Sequence, residues 1–170
     1  MLLERFYPDE CAASAYGIDY GALWERGVRG LLFDIDNTLV PHGKPETEEA
    51  VALFSRLHAM GFETCLISNN QEPRVAPFAK AMETKYVYNA HKPSTKNYLA
   101  SMELMGTDRS STVFIGDQLF TDVYGAKRSG IYSILVKPIH PREEIQIVLK
   151  RYLERIVLHF YKKSLKKRGI

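Results

Sequence analysis

From residue 30 to residue 137, short apolar runs alternate with segments of helical periodicity, and that alternation leaves few folds open to the chain. Residues 30 to 35 form the first run, followed by a loop holding Pro41, Gly43 and Pro45, after which residues 46 to 60 carry Ala50, Leu53, Phe54 and Leu57 at helical spacing. Gly61 stops that helix. FETCLIS (62 to 68) reads as a second strand, and 71 to 82 as a helix despite Pro73 and Pro77. YVYNA (86 to 90) is a short strand, and STKNYLASMEL (94 to 104) a helix opened by Ser94. TVFIG (112 to 116) is a buried strand, 120 to 129 a helix ended by Gly130, and IYSILVK (131 to 137) the last strand. The connections are too long for hairpins, so right-handed βαβ crossovers follow. The predicted fold is α/β: one Rossmann-like domain, with a mainly parallel central sheet and helices on both faces.

A chain of 170 residues, 45% hydrophobic and 25% charged, is long enough for one sizeable core and short for two. We expect a single domain over 1–170: a core of about 28–140, an N-terminal extension over 1–27, and an amphipathic basic helix over about 142–168. Cys11 and Cys65 lie far apart with no CxxC or Cys/His cluster, which suggests neither a disulfide framework nor a zinc site. MLLERFYPDE holds acidic residues and no long apolar run, and no stretch of eighteen uncharged apolar residues occurs. Neither a signal peptide nor a membrane span is expected, and the expected location is cytoplasmic.

The apolar runs end on residues that a buried strand does not tolerate. Asp34 and Asp36 follow the first run, Ser68 with Asn69 and Asn70 the second, His91 and Lys92 the third, and Asp117 follows VFIG. In an open α/β sheet the ligand crevice lies at the carboxyl ends of the strands, so these positions converge. Singly, a strand-end Asp or Ser caps a helix or makes a turn, and a lone Lys is solvated. Together they require independent coincidences, and a site is the simpler reading. Several carboxylates with one lysine and one serine do not make a Ser/His/Asp hydrolase, and the turns lack Gly-rich phosphate loops. All-oxygen ligation suits a hard divalent cation, foremost Mg²⁺. Such a cation offsets the repulsion between a carboxylate nucleophile and an anionic phosphoryl group. A second carboxylic acid can protonate the leaving oxygen and later take a proton from water.

DIDNT (34 to 38) resembles the DxDxT signature of the haloacid dehalogenase superfamily of phosphohydrolases. Ser68 at a strand end, Lys92 in AHKP, and GDQLFTD (116 to 122), similar to GDxxxxD, fit the superfamily's later motifs in order. The resemblance implies that Asp34 is the nucleophile that forms an aspartyl-phosphate. It also implies that Asp36 is general acid then base, with its backbone carbonyl on the metal. Ser68 would hydrogen-bond the phosphoryl oxygens, and Lys92 would neutralise their charge and hold Asp34. Asp117 would join Asp34 and Asp36 as the third protein ligand to Mg²⁺, with Asp122 orienting the metal's waters. Thr38 would steady the turn and, with Ser68, Asn69 and Lys92, line the substrate.

Only 31 residues separate Asp36 from Ser68 and 23 separate Ser68 from Lys92, nearly all used by predicted helices and strands, so no cap domain fits. A capless site favours a large substrate that closes it: a protein, a nucleic-acid end or a lipid headgroup. Net charge is +3, but residues 150 to 168 hold eight Lys or Arg against one acid, Glu154. Ile145, Val148, Leu149, Tyr152, Leu153, Ile156, Val157 and Phe160 recur there at helical spacing, a stripe expected to pack on the body or on a second subunit. The basic end would draw the protein to anionic lipid, or to RNA, with no DNA partner expected. The stretch YGIDYGALWERGVRGLLFDIDNTLVP and the SNN and GDQLFTDV wording resemble the phosphatidylglycerophosphate phosphatase group, within the capless subfamily IIIA. The substrate so implied is a phosphomonoester headgroup of an anionic phospholipid at the inner membrane face. His42, Lys44, Arg74 and His91 could meet it, or be ordinary surface residues. Two alternatives stay open: a phosphatase of a soluble sugar phosphate, nucleotide or phosphoprotein, and a non-catalytic phospho-aspartate or RNA-associated module.

Overall fold

A computed structural model describes residues 2–140 and 145–169. Six parallel strands form one sheet in the order β1-β6-β5-β2-β3-β4: β1 is Glu10–Ala12, β2 Gly30–Phe33, β3 Glu63–Ile67, β4 Lys85–Val87, β5 Thr112–Gly116 and β6 Tyr132–Val136. The helices are α1 (Tyr20–Glu25), α2 (Glu48–Ala59), α3 (Glu72–Ala81), α4 (Thr95–Met105), α5 (Tyr124–Arg128) and α6 (Ile145–Lys167). Successive strand residues point to opposite faces, and both faces are apolar here. Leu31 and Phe33 pack with Leu53, Phe54 and Leu57 of α2 and Phe78 of α3. Leu32 and Phe114 pack on the other side with Tyr98 and Met102 of α4 and Ala126 of α5. The expected parallel sheet with two helical layers is what the chain forms, and no further cap unit appears among the described residues.

Local chemistry explains the element ends. The Thr47 side chain accepts the Ala50 N–H at 3.2 Å to cap α2, whose first turn carries Glu48 and Glu49 and whose last carries Arg56 and His58. Gly106, with φ of 66°, closes α4 in the left-handed conformation that a side chain resists.

Three features differ from the sequence reading. The expected N-terminal extension supplies an edge strand, β1, as well as α1. Asp9 anchors that strand, its carboxylate accepting the Ser133 N–H at 2.8 Å and the Ser133 hydroxyl at 2.9 Å. The expected helix over 120–129 is a π-helical turn, Leu119–Val123, running into the short α5.

The third difference concerns α6. Residues 142–144 of the expected helix lie outside the described residues. From Ile145 onward the helix is present, and of the apolar stripe expected to pack on the body or on a second subunit, Val157 packs on the body while most of the others do not. Val148, Leu149, Tyr152, Leu153, Ile156 and Phe160 are between 44% and 65% exposed. The side of α6 buried against the body consists of Val157 from that stripe with Glu154 and Tyr161, and Arg151 and Leu158 flank it. Two polar side chains outcompete the stripe because the loop after β5 offers them hydrogen-bond partners. No described helix is long and apolar enough to cross a membrane.

Candidate active site

The chain runs from β2 outward to β4, then crosses to the other side of β2 to add β5. The carboxyl ends of β2 and β5 therefore flank the point where strand order reverses, the usual crevice of such sheets. Asp34 follows β2 directly, and its N–H donates to the Ile115 carbonyl at 3.0 Å, which keeps it in sheet register. Asp117 follows β5 directly.

Beside Asp34 lies Lys92, with its side chain only 4% exposed. Its Nζ donates to Asp34 Oδ1 at 2.6 Å and to Asp122 Oδ1 at 2.7 Å. Asp122 arrives from the π-helical turn, and its Oδ2 accepts the N–H groups of Asp117 and Gln118, both at 3.1 Å. Asp34, Asp117 and Asp122, all buried, offer carboxylate oxygens within 4.8 Å of one another. The Thr38 hydroxyl lies 3.5 Å from Asp34 Oδ2 and 3.3 Å from Asp117 Oδ1, so it touches both strand-end aspartates.

A second group of polar residues forms beside the first. Asp36 accepts from the Gly43 N–H at 2.8 Å and Arg74 Nη2 at 2.9 Å on one oxygen, and from Asn70 Nδ2 at 2.6 Å on the other. The Ser68 hydroxyl, buried, accepts from the Asn70 backbone N–H at 3.1 Å and from Nδ2 at 3.2 Å. Asn69 is engaged with the Lys92 backbone, its Oδ1 accepting the Lys92 N–H at 2.7 Å. It positions the lysine segment. His42, Lys44 and His91 are exposed.

Sequence reasoning did not anticipate four contributors. Arg74, read as a surface or headgroup residue, is the ion partner of Asp36. Asn70 links Asp36 to Ser68, and only its place in SNN hinted at a role. Arg151 from α6 pairs with Asp117 Oδ2 and donates to the Asp117 carbonyl at 2.6 Å and to Glu154 at 3.0 Å. Glu154 in turn accepts the Leu119 N–H at 2.8 Å. Both sit inside a basic amphipathic run, where nothing in the pattern distinguishes them from solvated charges.

The electrostatics of the cluster are those of crowded acids. Burial pushes the Asp34 carboxyl up to about 6; Lys92 opposes this, while Asp122 and Asp36 reinforce it. Burial, then Asp34 and Asp122, hold Asp117 well above the usual carboxylate range, with Arg151 pulling the other way. For Lys92, burial alone would favour the neutral amine, but the Asp122 and Asp34 carboxylates outweigh it and keep the ammonium charged. Three buried carboxylates thus share two cationic side chains. Lys92 occupies Asp34 Oδ1 and Arg151 occupies Asp117 Oδ2, whereas Asp34 Oδ2 and Asp117 Oδ1 meet only a neutral hydroxyl in that cluster. This all-oxygen, charge-deficient set fits a hard divalent cation such as Mg²⁺.

The geometry has its counterpart in known proteins. The family profile for haloacid dehalogenase-like hydrolases matches residues 45–130, which include Ser68, Lys92, Asp117 and Asp122. The protein named "Probable phosphatase YqeG" of Bacillus subtilis is 34% identical over 165 residues, spanning 96% of each chain. This chain belongs to the haloacid dehalogenase-like hydrolases. Within the superfamily this hydrolase stands close to the branch that the Bacillus subtilis protein represents. "Phosphatidylglycerophosphate phosphatase 1, chloroplastic/mitochondrial" of Arabidopsis thaliana is 28% identical over 166 residues, covering 88% of this chain and 45% of that protein. A solved structure of a hypothetical protein from Xanthomonas campestris shares the fold, with a TM-score of 0.57, 18% identity, and coverage of 76% of this chain and 77% of that one.

Proposed function

We propose that this phosphatase removes the phosphate from an anionic phospholipid, foremost phosphatidylglycerophosphate, leaving phosphatidylglycerol, and works with Mg²⁺ from the inner membrane face. Asp34 attacks phosphorus as the carboxylate, the P–O ester bond breaks, and Asp36 gives its proton to the departing lipid oxygen. Asp36 then takes a proton from water, which attacks the aspartyl-phosphate, frees inorganic phosphate and restores Asp34. Lys92 balances the phosphoryl charge while holding Asp34, and Ser68 donates to a phosphoryl oxygen. Asp34, Asp117 and the Asp36 carbonyl would hold Mg²⁺, whose charge would let an anionic carboxylate approach an anionic phosphate. Arg74, Asn70 and the Gly43 amide hold Asp36 in place.

The observation that carries this reading is the lysine-bridged aspartate cluster at the carboxyl ends of β2 and β5. The lipid part is supported by the capless chain, the basic end of α6, and a curated relative named for phosphatidylglycerophosphate. The test is phosphate release from phosphatidylglycerophosphate in mixed micelles against soluble sugar phosphates, nucleotides and phosphopeptides, with and without Mg²⁺. Magnesium-dependent release favouring the lipid supports the proposal. Faster turnover of a soluble ester overturns its lipid part, and a phospho-enzyme that never turns over makes the chain a switch.

A further inference from the structure

A cavity of about 600 Å³ opens between the β1–β6 edge of the sheet and α6. Its walls are mainly apolar, with Leu119, Leu135, Val136 and Leu158 among them, and its volume falls within the range of about 300–1,000 Å³ usual for small-molecule sites. Asp117 lines this cavity together with its ion partner Arg151 and with Glu154, and it also belongs to the carboxylate cluster, so the apolar space adjoins the site with the Arg151–Asp117 pair between them. Its rim carries Lys137, Arg155 and Lys162, all exposed and without an ion pair among the described residues. Val148 and Tyr152 line its mouth and continue onto the outward face of α6, where Leu149, Leu153, Ile156 and Phe160 stand exposed.

An apolar slot, a cationic rim and an adjoining apolar ridge match one kind of molecule: an anionic headgroup attached to a hydrocarbon chain. A soluble sugar phosphate or nucleotide would leave the slot wet and the ridge bare. We infer that the cavity between β1, β6 and α6 binds an acyl chain of the phosphorylated lipid whose phosphate reacts at Asp34. The inference rests on the lipid reading above and adds to it a place for the tail. The exposed stripe of α6, with Lys163 and Lys167 extending it, then lies against the anionic surface from which the lipid is drawn.

Two measurements test it. Cys11 lines the cavity and is exposed, whereas Cys65, the other cysteine, is buried. In the whole protein with Mg²⁺, palmitoyl lysophosphatidate is expected to slow alkylation of Cys11 by N-ethylmaleimide about tenfold through burial of its chain, while glycerol 3-phosphate leaves the rate unaltered. Equal protection by both, or by neither, overturns the inference. The second measurement uses Ala13→Trp, at an exposed wall position, and Leu158→Trp, which fills the slot from α6. Each is expected to lower the ratio of kcat/KM for long-chain lipid over p-nitrophenyl phosphate by about tenfold. If the wild type prefers the long-chain lipid and both folded variants keep that preference, the cavity assignment fails while the lipid reading survives. If the wild type itself prefers soluble esters, both fail.

Discussion

Replacing Asp34 by asparagine should abolish turnover and, in the absence of metal, make the protein more stable. The carboxyl is buried beside Asp117 and Asp122, and its pKa rises from the ordinary 3.8 to about 6. Below about pH 3.8 both folded and unfolded forms are protonated and the group favours the fold in full. As pH rises toward 6 the unfolded chain has released the proton while the folded chain retains it, so this stabilisation is progressively lost. With each pKa unit worth about 1.36 kcal/mol, ionised Asp34 costs the metal-free fold about 3 kcal/mol at neutral pH. Asparagine keeps the shape without the charge and recovers that amount, about 6–12 °C in Tm for a chain of this size. Asp117, raised in part by Asp34, relaxes in the same direction. Urea melts of wild type and Asp34→Asn in EDTA, from about pH 4 to about pH 7.5, measure the gap. Stability that is equal at neutral pH, or a gap that does not close on acidification, would refute this account of the cluster. Magnesium adds a further check, because it should stabilise the wild type much more than the variant.

Other substitutions probe the supports of the site. In Gly116→Ala the new Cβ would lie 2.5 Å from Asp122 Oδ2 and 2.6 Å from Phe114 Cε1; stability should drop by about 1–3 kcal/mol and kcat by about tenfold or more, measured by denaturation and steady-state kinetics. Arg74→Met leaves Asp36 with Asn70 and Gly43 but no ion partner. Turnover of alkyl phosphates should fall about ten- to a hundredfold, and that of p-nitrophenyl phosphate far less, since its leaving group departs without a proton; equal losses would remove Arg74 from the acid's support. Glu63→Gln breaks a pair with Lys85 whose side chains are 50% and 43% exposed, so less than about 1 kcal/mol should be lost, as read from urea midpoints.

What the sequence made legible follows from how locally each signal is written. β5 coincides with TVFIG, because five consecutive apolar or small residues in a central strand pack on both sides and leave nothing ambiguous. The aspartates were legible because carboxylates at the ends of apolar runs contradict the local pattern. β1 was not, since Glu10–Ala12 has no apolar run and owes its place to the anchoring of Asp9 on Ser133. The facing of α6 on the body is not written in its apolar spacing, for a related reason. Hydrophobic periodicity assigns the apolar stripe to a packed surface, of the body or of a second subunit, whereas on the body Arg151 and Glu154 find fixed partners on the Asp117 carbonyl, the Asp117 carboxylate and the Leu119 N–H, and those directional bonds set the rotation of the helix.

The same contacts explain how a charge-deficient cluster survives in a folded chain. The π-helical turn over Leu119–Val123 bends the backbone so that Asp122 reaches back to the Asp117 and Gln118 amides and across to Lys92. Two backbone dipoles and an ammonium thereby stabilise Asp122, and the Tyr98 hydroxyl fixes the turn from below through the Thr121 carbonyl at 3.0 Å. Asp34 shares that ammonium, and Asp117 has Arg151, which α6 holds against the β5 loop with Glu154 as its brace. Each of these carboxylates thus has a fixed partner supplied by the fold itself. The cost of assembling the site falls on folding, and a bound divalent cation returns part of it, which makes cation affinity and fold stability two readings of the same interaction.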